Sequence, residues 1–597
     1  MEETAQPSGK ATLPVILIAS LVEGWGLYGL HHAVQAHQWP ATNLAWLIAS
    51  YAVVVFAPLT VQLLAGQMRN RFSWVMVGAV TGIFFYLGWH QGATQLSIDG
   101  RFNLIGDDFA FAVPLTVLWL LMLPFIQGRL AAGRWRTPYA TLFADAWRNK
   151  LVLAEAALFT GLLWLLLELW QSLFHMLKIE FFHELFHEPI FVYPVTAITF
   201  GIALHLIGSI ERLTSVVLEQ LLSVLKWLAI VAGTLLTLFT VALALKLPDL
   251  LFSDARAIGA VWLLWLVAVI ILLLNAAYRD GSVSRPYPGW IAAALRFTVP
   301  LTVVISVTAI YALIVRTQHY GITVERVWGY VVAAAALLYS VGYSIAAFSR
   351  GPWMGRIARV NVVVAIALML VIAVTLTPAL APQRLAASSQ LKLILSRPLP
   401  AASGRAEPGT PFSYLRFQAG TYGLDRLKQL AALQNHPEAE DIRYLAKAEL
   451  AMNSQWQTAE TADPDYLRRS FAKLAIYPTG RALEPTLVDA LVSARQNQRD
   501  AGTLFPQCAP DMCAGVFVDL DGDGVEEFML LNNYGAGSAF AHRDGQWVTI
   551  GRVWSQLAKG SWEHTRDALA KGEFSAVAPR WKVLSVGGRM FRLNDDN

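Results

Sequence analysis

The chain has only two cysteines in 597 residues, and only 15% of its residues are charged. That scarcity of cysteine excludes a small scaffold built on disulfides and a cysteine-rich zinc domain. So little charge, against 55% hydrophobic residues and 21 Trp, excludes a single soluble domain and places the chain in the membrane class. The net charge of +4 is small and dispersed, which excludes a nucleic-acid interface and a polybasic lipid-binding patch. No nucleotide-binding loop occurs, so any energy source would be a gradient or a separate subunit. The start "MEETAQPSGK" lacks a basic leader region and no small-residue cleavage pattern follows. The first apolar run is therefore expected to be a retained span.

What is present is a series of long apolar runs, each sufficient to cross about 30 Å of hydrocarbon as a helix. They fall at 11–34, 44–66, 72–92, 108–128, 151–174, 189–208, 224–245, 258–277, 291–315, 327–348 and 360–380, which predicts about eleven spans. One set of alternating loops carries Arg69, Arg71, Arg129, Arg134, Arg136, Arg148, Lys150, Arg212, Arg279, Arg285, Arg350, Arg356 and Arg359; the opposite set is cation-poor. Cations gather in cytoplasmic loops, so the N-terminus is expected in the cytoplasm and, by odd parity, everything after the last span outside.

The fold expected is mainly α: a polytopic transmembrane helical bundle followed by an extracytoplasmic α+β domain. Residues 1–10 form a cytoplasmic N-terminus and 11–380 the membrane domain. A linker covers 381–412 around "SRPLPAASGRAEPGTP". A helical region spans 413–504 ("LDRLKQLAAL", "DIRYLAKAEL", "DYLRRSFAKL", "PTLVDALVSARQ") and a small β module 505–597. Both cysteines, Cys508 and Cys513 in "CAPDMC", lie in that module. A close pair in an oxidising compartment suits a disulfide; unpaired thiols or a partial metal site is the alternative. "AHRDGQWVTIG" predicts a hairpin about Asp544-Gly545, and "WKVLSVGGRMFRL" another about Gly587-Gly588.

The module's most informative stretch is "FVDLDGDGVEEFML" (517–530). Asp519, Asp521 and Asp523 occupy alternate positions, Gly522 and Gly524 allow a sharp turn, and Glu527 stands at position nine. Calcium takes six to eight hard oxygen ligands, and a backbone carbonyl at Val525 would complete such a ring. An EF-hand would need an acid at position twelve, which is Leu530, and flanking helices; strand-like "VFV" and "FMLL" flank this loop instead. The stretch resembles the nine-residue calcium loop of FG-GAP repeats in integrin-type propellers. The resemblance implies ligands Asp519, Asp521, Asp523 and Glu527, with Glu526 pointing away. A merely solvated polar turn is the alternative. No histidine, nucleophile or phosphate cradle lies nearby, so the ion expected is structural.

A second pattern, "HELFH" (183–187), matches the zinc arrangement in which His183 and His187 bind the ion and Glu184 is the general base. At 100° per residue, Glu180, His183, Glu184, His187 and Glu188 share one arc, and Ile179, Phe181, Phe182, Leu185 and Phe186 the other. This is the pattern of an amphipathic helix lying in the membrane interface. The third ligand is missing, with only His175 nearby, so zinc is the weaker expectation.

Ionisable or amide residues also interrupt apolar runs: Glu23, His90, Glu155, Glu168, His205, Glu219 with Lys226, Asn275 and Arg296. Charge is costly there, so such residues face the bundle interior, pair, or line a path. Glu23 and Glu168 lie deepest; the others sit near span ends, within reach of the interface. No pair of broken helices or inverted repeat is visible in the pattern.

Several strings point one way: "QWPATNLAWLIASYA", "DAWRNKLVLAEAALFTGLLWLLLELW", "EPIFVYPVTAITFGIALHLI", "YGITVERVWGYVVA", "LTPALAPQRLAASSQLKLI" and "FSYLRFQAGTYGLDRL". Over most of residues 15–430 they resemble the bacterial multi-span membrane proteins of the domain-of-unknown-function 4153 family. The resemblance implies a bacterial inner-membrane protein and carries no activity or catalytic residue; the "HELFH" histidines are not attributable to that family's pattern. Three functional classes remain: a component that transports or assembles an envelope molecule, a membrane-anchored sensor or scaffold binding an envelope protein or glycan, and a zinc-dependent membrane peptidase. Eleven spans are many for an anchor, which favours the first, non-enzymatic class.

Overall fold

The computed structural model describes residues 12–95, 111–209, 211–252, 259–280, 283, 286–349, 356–397, 399, 410–454, 463–496, 513–533, 535–554, 561–577, 584–586 and 589–591. Two units divide the chain, Met1–Ser389 and Gln390–Asn597. In order, the helices of the first are α1 (Leu13–Gln35), α2 (Leu44–Leu63), α3 (Arg71–Thr94), α4 (Ala112–Ala132), α5 (Tyr139–Met176), α6 (Phe181–His187), α7 (Pro189–Ser209), α8 (Glu211–Phe252), α9 (Ala260–Tyr278), α10 (Gly289–Thr298), α11 (Leu301–Tyr320), α12 (Val324–Phe348) and α13 (Ile357–Thr375). Helix α14 (Pro382–Ser396) contains the division.

Among the described residues, eleven helical stretches are long and apolar enough to cross a membrane. Their outward faces carry exposed apolar residues such as Leu165, Val261, Trp262 and Trp290, a surface that lipid satisfies and water does not. This is an integral membrane protein. Two helices outrun the expected spans. At 1.5 Å per residue α5 is about 57 Å long and α8 about 63 Å, because the polar stretches Tyr139–Lys150 and Glu211–Ser223 carry no hydropathy signal yet stay helical. The run 291–315 falls across α10 and α11, whose hydrogen-bond ladder Pro300 interrupts because proline offers no N–H, while Val299 and Pro300 keep right-handed helical dihedrals and Gly289–Tyr320 forms one membrane-length stretch.

Buried residues of α8 to α13 form one core, including Tyr278, Ile305, Ala309, Tyr343 and Ile357. A second gathers α2, α3, α4 and α13 about Phe56, Phe84, Leu115 and Trp119. Glycine sets the closest approaches. A Cβ at Gly92 would lie 2.7 Å from Ala45 Cα and against the Leu44 carbonyl oxygen, and one at Gly24 would lie 2.6 Å from Pro194 Cα.

In the second unit follow α15 (Pro411–Phe417), α16 (Gly420–Ala431), α17 (Ala439–Ala451), α18 (Pro464–Phe471), β1 (Ala475–Tyr477), α19 (Pro485–Gln496), β2 (Cys513–Val518), β3 (Glu527–Asn532), β4 (Ala536–Arg543), β5 (Gln546–Trp554), α20 (Ser561–Lys571), β6 (Leu584–Val586) and β7 (Arg589–Phe591). Strands β1 to β5 form one sheet in chain order; β1 pairs parallel to β2 and the rest are antiparallel. Two expected boundaries shift. The stretch 381–412, read as linker, begins with α14, and the helical region 413–504 donates β1 to the sheet. Parallel pairing of β1 with β2 requires a crossover, which α19 occupies before lying against β5. Helix α20 packs Leu569 and Trp562 against Tyr477, Ala514 and Val516. The β4–β5 hairpin turns at Asp544 (φ 50°) and Gly545 (φ 79°), the two left-handed residues of a type I′ turn. Val586 faces Arg589 across β6 and β7; Gly587 and Gly588 between them lie outside the described residues.

Candidate functional sites

In the membrane unit the deepest acid of the first span, Glu23, is buried on α1. Gln62 of α2, also buried, donates from Nε2 to Glu23 Oε2 at 3.0 Å and to Ser20 Oγ at 3.3 Å. Ser20 spends its own proton on the carbonyl of Ile16 at 2.9 Å. The third wall is α7. A Cβ at Gly201 would strike Ser20 Oγ, and Gly24 lies against Pro194 and Ala197, so small residues bring α7 onto the face that bears the acid. Further along α1, His31 Nδ1 shares a 3.1 Å hydrogen bond with Tyr193 of α7, and Gln35 Nε2 lies 3.0 Å from His31 Nε2.

Glu168 differs from the interior position expected of it. It lies on the exposed face of α5 and accepts a bond from Gln171 of its own helix. Its carbonyl accepts from Ser172 Oγ at 2.8 Å, so local hydrogen bonding along one helix replaces a partner from another. The structure does not bring Glu23 and Glu168 together.

A polar node of which the sequence singled out only Asn275 joins four helices. Asn361 of α13 donates to the Tyr139 hydroxyl of α5 at 2.5 Å and to Asn275 Oδ1 of α9 at 2.6 Å, and accepts from the Tyr343 hydroxyl of α12 at 2.8 Å. Its one signal in the sequence is a lone amide in the apolar run "VNVVVAIALML". Buried His90 ties α3 to Leu376 O, just past α13, at 2.8 Å.

The acidic loop joins β2 to β3, closed by the pairing of Val518 with Glu527. Gly522 (φ 80°) and Gly524 (φ 87°) turn it in a backbone region that side chains disfavour. Asp519 accepts from the N–H groups of Gly522 and Gly524 at 2.7 and 3.0 Å, and Glu527 from Leu520 N at 2.7 Å. The backbone thereby folds three acids inward: carboxylate oxygens of Asp519, Asp521 and Glu527 lie within 4.8 Å of one another. Asp523 is outside that trio and accepts from Val525 N at 2.7 Å. Glu526 is outside the trio and pairs with Arg481. Like charges this close repel unless a cation sits among them, and the trio has no Lys, Arg or His partner among the described residues. Hard oxygens from a tight loop are the donor set calcium takes; each carboxylate keeps lone pairs beyond its backbone bonds. Cys513, fully buried, opens β2; Cys508 lies outside the described residues.

"HELFH" forms α6, seven residues long. The aromatic side folds back on α5, with Phe182 4.6 Å from Phe174 and 5.7 Å from Trp170 between ring centroids. His183, Glu184 and His187 are all exposed. The two imidazoles lie 4.6 Å apart, and His187 Nδ1 is bonded to the His183 carbonyl at 2.8 Å. His175 is bonded to Glu180 at 3.0 Å. Among the described residues the acidic trio is the one place where three metal-binding side chains converge.

Comparisons with protein-family profiles, with curated proteins and with solved structures found no match.

Proposed function

We propose that this membrane protein moves or helps assemble a cell-envelope molecule, with its path beside Glu23 and a calcium-stabilised module outside the membrane. The observation that carries the path is the buried Glu23–Gln62–Ser20 cluster where α1, α2 and α7 meet: burying an acid there is expensive and is retained where it serves transport or a proton. The cation-rich alternate loops support a cytoplasmic N-terminus, and hence an outer second unit, in a bacterial inner membrane. An envelope protein or glycan is the partner this placement suits.

The path has a direct test. Glu23→Gln keeps size and hydrogen bonding, so the variant should fold and reach the membrane yet fail to complement a strain lacking the chain. Full complementation would instead favour the scaffold reading, which draws on β5, an outer strand with Val548 and Ile550 exposed.

In the outer module, Asp519, Asp521 and Glu527 would hold calcium, with Asp523 and the Val525 carbonyl as further donors, and Cys508 would bridge to Cys513. Elemental analysis of the dialysed full-length chain should count about one calcium and no zinc. Calcium at a hundredfold excess over its Kd should add about 2.7 kcal/mol of stability. Asp521→Ala should abolish both the ion and the gain, and unreduced protein should take up no thiol reagent. Zinc that depends on His183 and His187 would replace this reading with a metallopeptidase.

A further inference from the structure

The Glu23–Gln62 pair has one hydrogen-bonding group too few. Gln62 Nε2 is satisfied twice, but Gln62 Oε1 is buried and has no partner among the described residues. The Ser20 hydroxyl proton goes to Ile16 O. Gln62 is itself the only polar partner Glu23 has among the described residues. An amide and a carboxylate make one hydrogen bond, from N–H to oxygen. An amide and a carboxylic acid make two, N–H to one carboxyl oxygen and the carboxyl O–H to the amide oxygen. Turning the Gln62 amide over does not restore balance with a carboxylate, because an oxygen would then face an oxygen across the 3.0 Å contact unless a proton lay between them.

We propose that Glu23 binds a proton, and that the neutral carboxyl locked to Gln62 is the resting state of the membrane unit. Binding adds H⁺ to one carboxylate oxygen and forms the O–H bond that reaches Gln62 Oε1; release reverses it, with no other bond changed. The surroundings fit this. Glu23 is buried, and Pro194 and Ala197 of α7 lie against its neighbour Gly24 while Gly201 lies against Ser20, a place where an unpaired carboxylate is costly. The titratable groups of the packed helices are Tyr28, His31 and His32 on α1, Tyr51 on α2, and Tyr193 and His205 on α7, and none of them bonds to Glu23. His31, held between Tyr193 and Gln35, stands two turns beyond Glu23 towards the end of α1. The ligand is therefore H⁺, as the coupling ion of the path proposed above; that use rests on the path, whereas the bound proton does not.

Infrared difference spectroscopy of the full-length chain in lipid bilayers at neutral pH decides it. Wild type minus Glu23→Gln should show one carboxylic-acid C=O band, sensitive to deuterium exchange. In Gln62→Leu that band should persist at higher frequency, freed from the amide. Loss of carboxylate stretches in place of the acid band would overturn the proposal. Should Glu23→Gln not fold, Gln62→Leu alone serves: an unmoved acid region overturns it. A shifted acid band together with full complementation by Glu23→Gln would keep the proton and remove the path.

Discussion

Asn361→Leu should destabilise the membrane unit by about 2–4 kcal/mol. Asn361 makes three side-chain bonds, to Tyr139, Asn275 and Tyr343, and leucine makes none. Hydrogen bonds between membrane helices contribute about 0.6 kcal/mol on average and up to about 1.7 each. The loss also strands the Tyr343 hydroxyl, on a residue buried to 1% exposure, and a stranded buried polar group adds about 1–3 kcal/mol. Reversible unfolding in mixed micelles would measure the difference. Val363→Leu on the same helix, exposed to 59%, should change stability by less than about 0.5 kcal/mol. If both substitutions lie in that small range, the node does not hold these four helices together.

Gly92→Leu should be at least as damaging, by a steric route. The obstacle is backbone, Ala45 Cα and the Leu44 carbonyl, which cannot swing aside as a side chain can. The first turn of α2 and the last of α3 would have to separate, and overpacking of this kind costs about 1–3 kcal/mol or more. Two other glycines of α3 supply the opposite sign. A Cβ at Gly78 or Gly82 meets nothing within 4 Å, so alanine at either should stabilise by about 0.5–1 kcal/mol through reduced backbone freedom. Melting midpoints of the three variants check both signs together, and a destabilised Gly82→Ala would show that the open space there is filled in the membrane.

The spans were legible because a helix in lipid must be apolar over its whole crossing. The extra turns of α5 and α8 were not, since a polar helical extension carries no such requirement. The interrupted hydrogen-bond ladder at Pro300 left the apolar pattern unchanged, and β1, three residues long, has too little pattern to announce itself. Glu23 stood out as a charge among apolar neighbours. Its partner Gln62 did not, because periodicity gives the face of one helix and says nothing of which helix will lie against it. In the acidic loop, the spacing named Asp519, Asp521, Asp523 and Glu527; the turn at Gly522 and Gly524 brings Asp519, Asp521 and Glu527 together and leaves Asp523 beside them.

The spacing of the Glu23 site along the chain bears on how it is made. Glu23 and Gln62 are 39 residues apart on consecutive helices, so the two can meet as one hairpin during synthesis. Helix α7, which closes the site at Gly24 and Ser20, emerges only after four intervening α-helices, α3 to α6. During that interval the acid is paired but uncovered. The nascent α1–α2 hairpin thus enters the bilayer with its costliest group already partnered, and the late arrival of α7 is the step that shuts it away from the surrounding lipid and water.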